Sequence, residues 1–149
     1  MLFCVLAILS GPVLYGCAGT KATTLELQNI HQVMQPAPVG GQSMADYTKV
    51  LHSGNEVSGN VTVSGEWEVP DDFCSPWTFE AWNPAGVLID TATVSPVPFD
   101  NENPYYYFKF TATAEGKYII RIIHRSIMVR YVDIVISPLG WQYESPQTF

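Results

Sequence analysis

Residues 57–65 read Val57-Ser58-Gly59-Asn60-Val61-Thr62-Val63-Ser64-Gly65. Small or apolar residues alternate with polar ones, the period of a β-strand with one wet face. The same period recurs from Asp46 onward. Trp77–Trp82 is a second, aromatic-rich strand. Asn83-Pro84-Ala85-Gly86 follows, with Pro at the second and Gly at the fourth place of a type I turn. Val87–Val94 is the return strand. Tyr105–Thr113 sets Tyr106, Phe108, Phe110 and Ala112 on one face and Lys109, Thr111 and Thr113 on the other. In Lys117–His124, Tyr118, Ile120 and Ile122 face inward while Lys117 and Arg121 face outward. Val129–Ile136 has Val132, Ile134 and Ile136 as its inward set, and Tyr47–His52 adds an edge strand. Short strands punctuated by turn signals, with no long run of helical period, read as an all-β antiparallel sandwich or barrel, and a jelly-roll-like antiparallel β-sandwich is the form expected.

The chain has 149 residues, enough for one domain. It is 47% hydrophobic and 13% aromatic, too apolar for a disordered chain. Only 14% of residues are charged, and the net charge is −7. An acidic chain without a basic block lacks the counterion-releasing surface of a nucleic-acid partner. No unbroken apolar stretch of about 20 residues is present, which excludes a multi-pass membrane protein.

Residues 1–20 carry no charged side chain, and Met1–Leu9 is an unbroken apolar run. Ser10-Gly11-Pro12 breaks it, as at the end of a secretory signal. The segment Leu14-Tyr15-Gly16-Cys17 resembles the lipobox of bacterial lipoproteins. That resemblance implies diacylglyceryl transfer to Cys17, cleavage before it, and a membrane-anchored protein at the cell envelope. Several acyl chains hold stably where one holds only marginally. The expected organisation is a signal peptide over 1–16, lipidated Cys17 and a flexible linker over 17–45, a sandwich over 46–138, and a tail over 139–149. Within the linker, Gln35–Gln42 is rich in Pro and Gly. Cys4 leaves with the signal, and Cys74 remains as a lone thiol with acidic flanks, which do not activate a nucleophile.

A second resemblance covers residues 47–137. Leu51-x-x-Gly54-x-x-Val57-x-Gly59-x-Val61, the Phe-rich Tyr107–Ala112 before Gly116-Lys117-Tyr118, and the closing Val129–Ile134 are similar to GOLD-type domains of the emp24/p24 family. It implies a β-sandwich with a loose role in protein or ligand binding.

Catalytic constellations are missing. None of His31, His52 and His124 has ligand-like spacing to a second ligand, so no metal centre is expected. No Gly-x-Ser-x-Gly, phosphate loop or dinucleotide fingerprint is present. Glu66, Glu68, Asp71 and Asp72 form one acidic cluster, and Asp100 and Glu102 another. The Asp100–Glu102 loop offers oxygen ligands for a structural Ca2+, though without the repeated spacing of a dedicated calcium loop. No other cofactor is expected. Trp82, Tyr105 and Tyr107 are the candidate ligand-binding residues, because alternation leaves some rings facing outward. Ile119, Ile123, Val129, Tyr131 and Val135 make an apolar outer set on the last strands, read as a covered face or an interface. The expected function is a non-enzymatic binding or protein-interaction module. A carbohydrate-binding accessory domain using Trp82 and Tyr105 or Tyr107 is the alternative. A hydrolase built on Asp72, Asp100 and Glu102 stands behind both.

Overall fold

A computed structural model of the chain describes residues 26–64, 77–94 and 105–146. Among them there are nine strands and no helix. They are β1 (Gln28–Met34), β2 (Ser43–Leu51), β3 (Glu56–Ser64), β4 (Trp77–Trp82), β5 (Leu88–Val94), β6 (Tyr105–Thr111), β7 (Gly116–His124), β8 (Arg130–Ser137) and β9 (Gln142–Glu144). Two antiparallel sheets result, one in the order β1-β8-β3-β6 and the other β5-β4-β7-β2-β9. Of consecutive described strands, β4 and β5 alone share a sheet. The rest alternate between sheets, the pattern of a jelly roll. The expected all-β sandwich is what the chain forms.

The β4–β5 hairpin shows why its turn sequence matters. The Gly86 N–H donates to the Asn83 carbonyl at 3.0 Å. The Asn83 side-chain oxygen accepts from the Ala85 and Val87 N–H groups at 3.0 and 2.9 Å. Gly86 sits at a φ of 73°, a conformation that side chains disfavour.

Between the sheets lies one core. Trp77, Phe79, Tyr47, Tyr118, Phe108, Ile120 and Ile134 are fully buried there. The Phe79 and Tyr106 rings stack across the sheets at 5.2 Å, and Trp77 stacks on His124 at 4.5 Å. In β3 the inward positions are Val57, Gly59, Val61 and Val63, all buried as their alternation requires. Gly59 has a packing role. A Cβ there would meet the Val135 carbonyl oxygen at 2.4 Å and the Phe108 ring at 2.7 Å. The Phe108 ring thus lies over the space that a side chain would fill.

Three boundaries differ from the sequence reading. The expected 17–45 linker contains β1, whose seven residues pair with β8, and the start of β2. A run of alternating Gln28, Ile30, Gln32 and Met34 looks polar in isolation, yet Met34 reaches the core and Ile30 packs against it. The strand expected at Tyr47–His52 spans Ser43–Leu51 and lies inside its sheet, between β7 and β9. Finally, the 139–149 tail supplies β9 and a buried Trp141. The Gln28 side chain binds this tail as a strand would. Its oxygen accepts from the Gly140 and Trp141 N–H groups at 2.9 Å, and its nitrogen donates to the Trp141 carbonyl at 2.8 Å.

Two predictions arise from this packing. Gly59→Ala should lower stability by about 1–3 kcal/mol, the usual cost of overpacking, read as a lower urea midpoint with unchanged slope. The second concerns alkali. The Tyr106 phenol is pushed well above its ordinary value by burial first, then by its hydrogen bond to Asp90 and by the Asp90 charge. Tyr47 is likewise raised, chiefly by burial and then by Tyr143. A raised folded-state value protects the fold below the unfolded value of about 10, and that protection is lost as pH rises beyond it. Urea titrations should show stability falling above about pH 10. Tyr106→Phe should be less stable at neutral pH yet fall less steeply in alkali.

Candidate binding face

The outward halves of β1, β8, β3 and β6 form one face. At its centre β3 presents Ser58, Asn60, Thr62 and Ser64, all half-buried and short. None of these four side chains forms a hydrogen bond with the described residues. Register places Thr62 between Tyr105 of β6 and Asp133 of β8, and Asp133 beside His31 of β1. The next row sets Asn60 between Tyr107 and Val135, and on the other side Ser64 faces Tyr131.

Rings and polar groups rise from that floor. Tyr105, Tyr107 and Tyr131 are 52%, 57% and 43% exposed. The His31 and Tyr131 rings stack at 6.1 Å with 14° between planes. His31 Nδ1 lies 2.6 Å from Asp133 Oδ1, and both side chains are exposed. Strands lie about 4.8 Å apart and rise about 3.3 Å per residue. Tyr105 and Tyr131, two strands and two residues apart, are therefore separated by about 12 Å at Cα.

On the opposite outer face the central charged groups bond one another. Across it, register aligns Glu80, Arg121, Asp46 and Glu144. Arg121 donates from Nε and Nη2 to the two Asp46 carboxylate oxygens, both at 2.8 Å, and both residues are buried. The Asp46 hydrogen bonds hold the Arg121 guanidinium above its usual value against the cost of burial. Thr48 and Lys117 donate to the Glu144 carboxylate at 2.9 Å each. These two hydrogen bonds, Lys117 first, lower the Glu144 carboxyl below its ordinary range. The Trp82 indole N–H donates to Glu80 at 2.8 Å.

The sequence-predicted residues therefore divide. Tyr105 and Tyr107 share the four-stranded face, whereas Trp82 is half-buried on the outside of the other sheet. The structure does not bring Trp82 together with the two tyrosines. The expected continuous apolar outer set also divides. Ile119 and Ile123 belong to β7 of one sheet, and Tyr131 and Val135 to β8 of the other. Sequence reasoning missed His31 and Asp133 as site residues, and Asn60 and Thr62 with them. The signal for His31 was the alternation in Gln28–Met34.

Cys17, Cys74, the Glu66–Asp72 carboxylates and the Asp100–Glu102 loop lie outside the described residues. So do the hydrolase candidates Asp72, Asp100 and Glu102. Among the described residues no three His, Cys, Asp or Glu side chains converge as metal ligands. Nor is any helix among them long and apolar enough to cross a membrane. A cleft of about 400 Å³ opens beside the end of β1 and the start of β2, lined by Gln32, Met34, Met44 and Tyr143 among others. Gln32 is already engaged there, accepting from the Tyr47 hydroxyl at 3.1 Å.

No family model matches the chain, and no curated protein matches it. Among solved structures, it is similar to a chain of Broad Bean Stain Virus, with a TM-score of 0.51 and 7% identity. That match covers 87% of this chain and 95% of the viral one. A chain of the naturally occurring empty particles of Cowpea mosaic virus matches with a TM-score of 0.49 and 7% identity, over 83% of this chain and 93% of that one. The CBM22-1–GH10 modules of Clostridium thermocellum xylanase 10B, complexed with xylohexaose, match with a TM-score of 0.39 and 14% identity, over 76% and 26%. At such identities the likeness concerns the fold alone.

The Asp46–Arg121 pair generates its own prediction. Asp46→Asn takes the bidentate carboxylate from a buried guanidinium that keeps Glu80 beside it in register, and should cost up to about 3–5 kcal/mol. Asp46→Leu combined with Arg121→Met should recover much of that loss in thermal unfolding, because apolar replacements remove both desolvated charges.

Proposed function

We propose that this chain is a non-enzymatic binding module displayed at the cell envelope, tethered through a lipid on Cys17. Its four-stranded outer face is the binding surface. One observation supports this most strongly: three exposed tyrosines share a face whose central hydroxyls and amide make no hydrogen bond with the described residues. Scattered exposed aromatics are ordinary, but rings grouped over a polar floor mark an interaction surface. The opposite face supports the same choice, since its carboxylates bond Arg121, Lys117, Thr48 and Trp82. The lipobox resemblance supplies the anchor, and the GOLD-type resemblance agrees with a binding role.

Two measurements test it. Metabolic palmitate labelling should mark the wild-type chain and leave Cys17→Ser unlabelled; equal labelling refutes the anchor. The unlipidated Cys17→Ser chain should be retained on isolated cell envelopes. Adding Tyr105→Ser, Tyr107→Ser and Tyr131→Ser should lower that retention by roughly tenfold or more, as expected when aromatic contacts worth about 1 kcal/mol each are lost. Val50→Ser, exposed on the other sheet, should leave it unchanged. Retention that ignores the tyrosines would move the binding surface elsewhere.

A further inference from the structure

We infer that the ligand of the four-stranded face is an uncharged carbohydrate chain, stacked on Tyr131 and Tyr105 and hydrogen-bonded by Thr62 between them and by the adjoining His31–Asp133 pair. A carbohydrate reaches these groups only if that face is the binding surface proposed above.

A sugar ring has C–H faces that pack on an aromatic plane and a rim of hydroxyls that need donors and acceptors together. Both requirements are met here at adjoining positions. Tyr131 and Tyr105 are half-exposed, and Tyr131 is braced from behind by the parallel His31 ring. Bracing fixes the plane before a ligand arrives, which lowers the ordering cost of binding. His31 spends Nδ1 on one Asp133 oxygen. Its Nε2 and the second Asp133 oxygen make no hydrogen bond with the described residues. Thr62, between Asp133 and Tyr105 in register, adds a hydroxyl that both donates and accepts. The separation of about 12 Å between the two tyrosine Cα atoms exceeds one sugar ring and calls for a chain of them.

Charge indicates an uncharged polymer. The protein is at −7, yet the outward positions of these four strands carry only Lys109, Asp133 and Glu56 as charged residues. Asp133 is already paired with His31. An anionic polymer would meet a single lysine, too little for the salt-dependent capture that polyanions need. A protein partner fits less well. Protein interfaces rest on Trp, Tyr and Arg anchors in desolvated pockets, and the three tyrosines here stand about half-exposed with no Trp or Arg at the outward positions beside them.

The test is affinity electrophoresis of the full-length chain through gels containing mannan, xylan or a soluble β-glucan, backed by an array of neutral glycans. Wild type should be retarded by at least one neutral polysaccharide. Tyr105→Ala and Tyr131→Ala should each weaken binding about tenfold. Tyr131→Phe, which keeps the ring, should restore most of it, and His31→Ala should weaken it at every pH at which the chain is folded. Trp82→Ala, on the far sheet, should leave retardation unchanged. No retardation, together with tyrosine-dependent retention on envelopes, overturns the carbohydrate and turns the same face toward a protein partner. If the envelope retention also ignores the tyrosines, the binding face itself falls. Retardation insensitive to Tyr105 and Tyr131 overturns the inference by placing the sugar site elsewhere.

Discussion

Every long strand of the sandwich gives one of its two faces to a shared core, and this division sets what each residue is free to do. In β3 the alternation is strict: Val57, Gly59, Val61 and Val63 are buried while Ser58, Asn60, Thr62 and Ser64 are not. The inward half must fit rings from the opposite sheet, as the Phe79–Tyr106 stack shows. A chain that interleaves its strands between two sheets has no independent subunit to lose. Each sheet holds strands from both ends of the sequence, and Gln28 ties the first strand to the last turn. Packing is dense enough that a missing atom is as specified as a present one. At Gly59 the space of a side chain belongs to the Phe108 ring and the Val135 carbonyl.

The outward halves of the two sheets have followed different physics. On the five-stranded sheet the outward Asp46, Thr48, Glu80, Arg121 and Glu144 are buried or half-buried, and such groups must find partners. Arg121 and Asp46 do so bidentately at 2.8 Å. Desolvation makes that pair costly to break and gives it little net worth as a stabiliser. The four-stranded sheet keeps short hydroxyl and amide side chains at its centre, which cost little to leave in water. Its rings stand at the flanks, where neighbours on β3 are too small to cover them.

Much of this was legible in the sequence. The alternation of Val57–Ser64, the aromatic period of Tyr105–Thr111 and the Asn83–Gly86 turn each report a local constraint, and each forms as read. Local period fixes which side of a strand is buried, so alternation alone places Tyr105 and Tyr107 outward. It says nothing about which sheet a strand joins. Period alone therefore groups Trp82 with tyrosines that lie on the other side of the sandwich, and Ile119 with Tyr131. The first strand escaped for another reason. Gln28 and Gln32 occupy inward positions where an apolar residue announces a strand, and they are tolerated because their amides bond the tail backbone and the Tyr47 hydroxyl.

That escaped strand is what completes the candidate site. Without β1, the Asp133 carboxylate would have no His31 beside it and Tyr131 would have no ring behind it. The Pro/Gly stretch after Met34 turns the chain so that β1 lies in one sheet and β2 in the other. A segment that composition assigns to a tether thus becomes one edge of the proposed binding face.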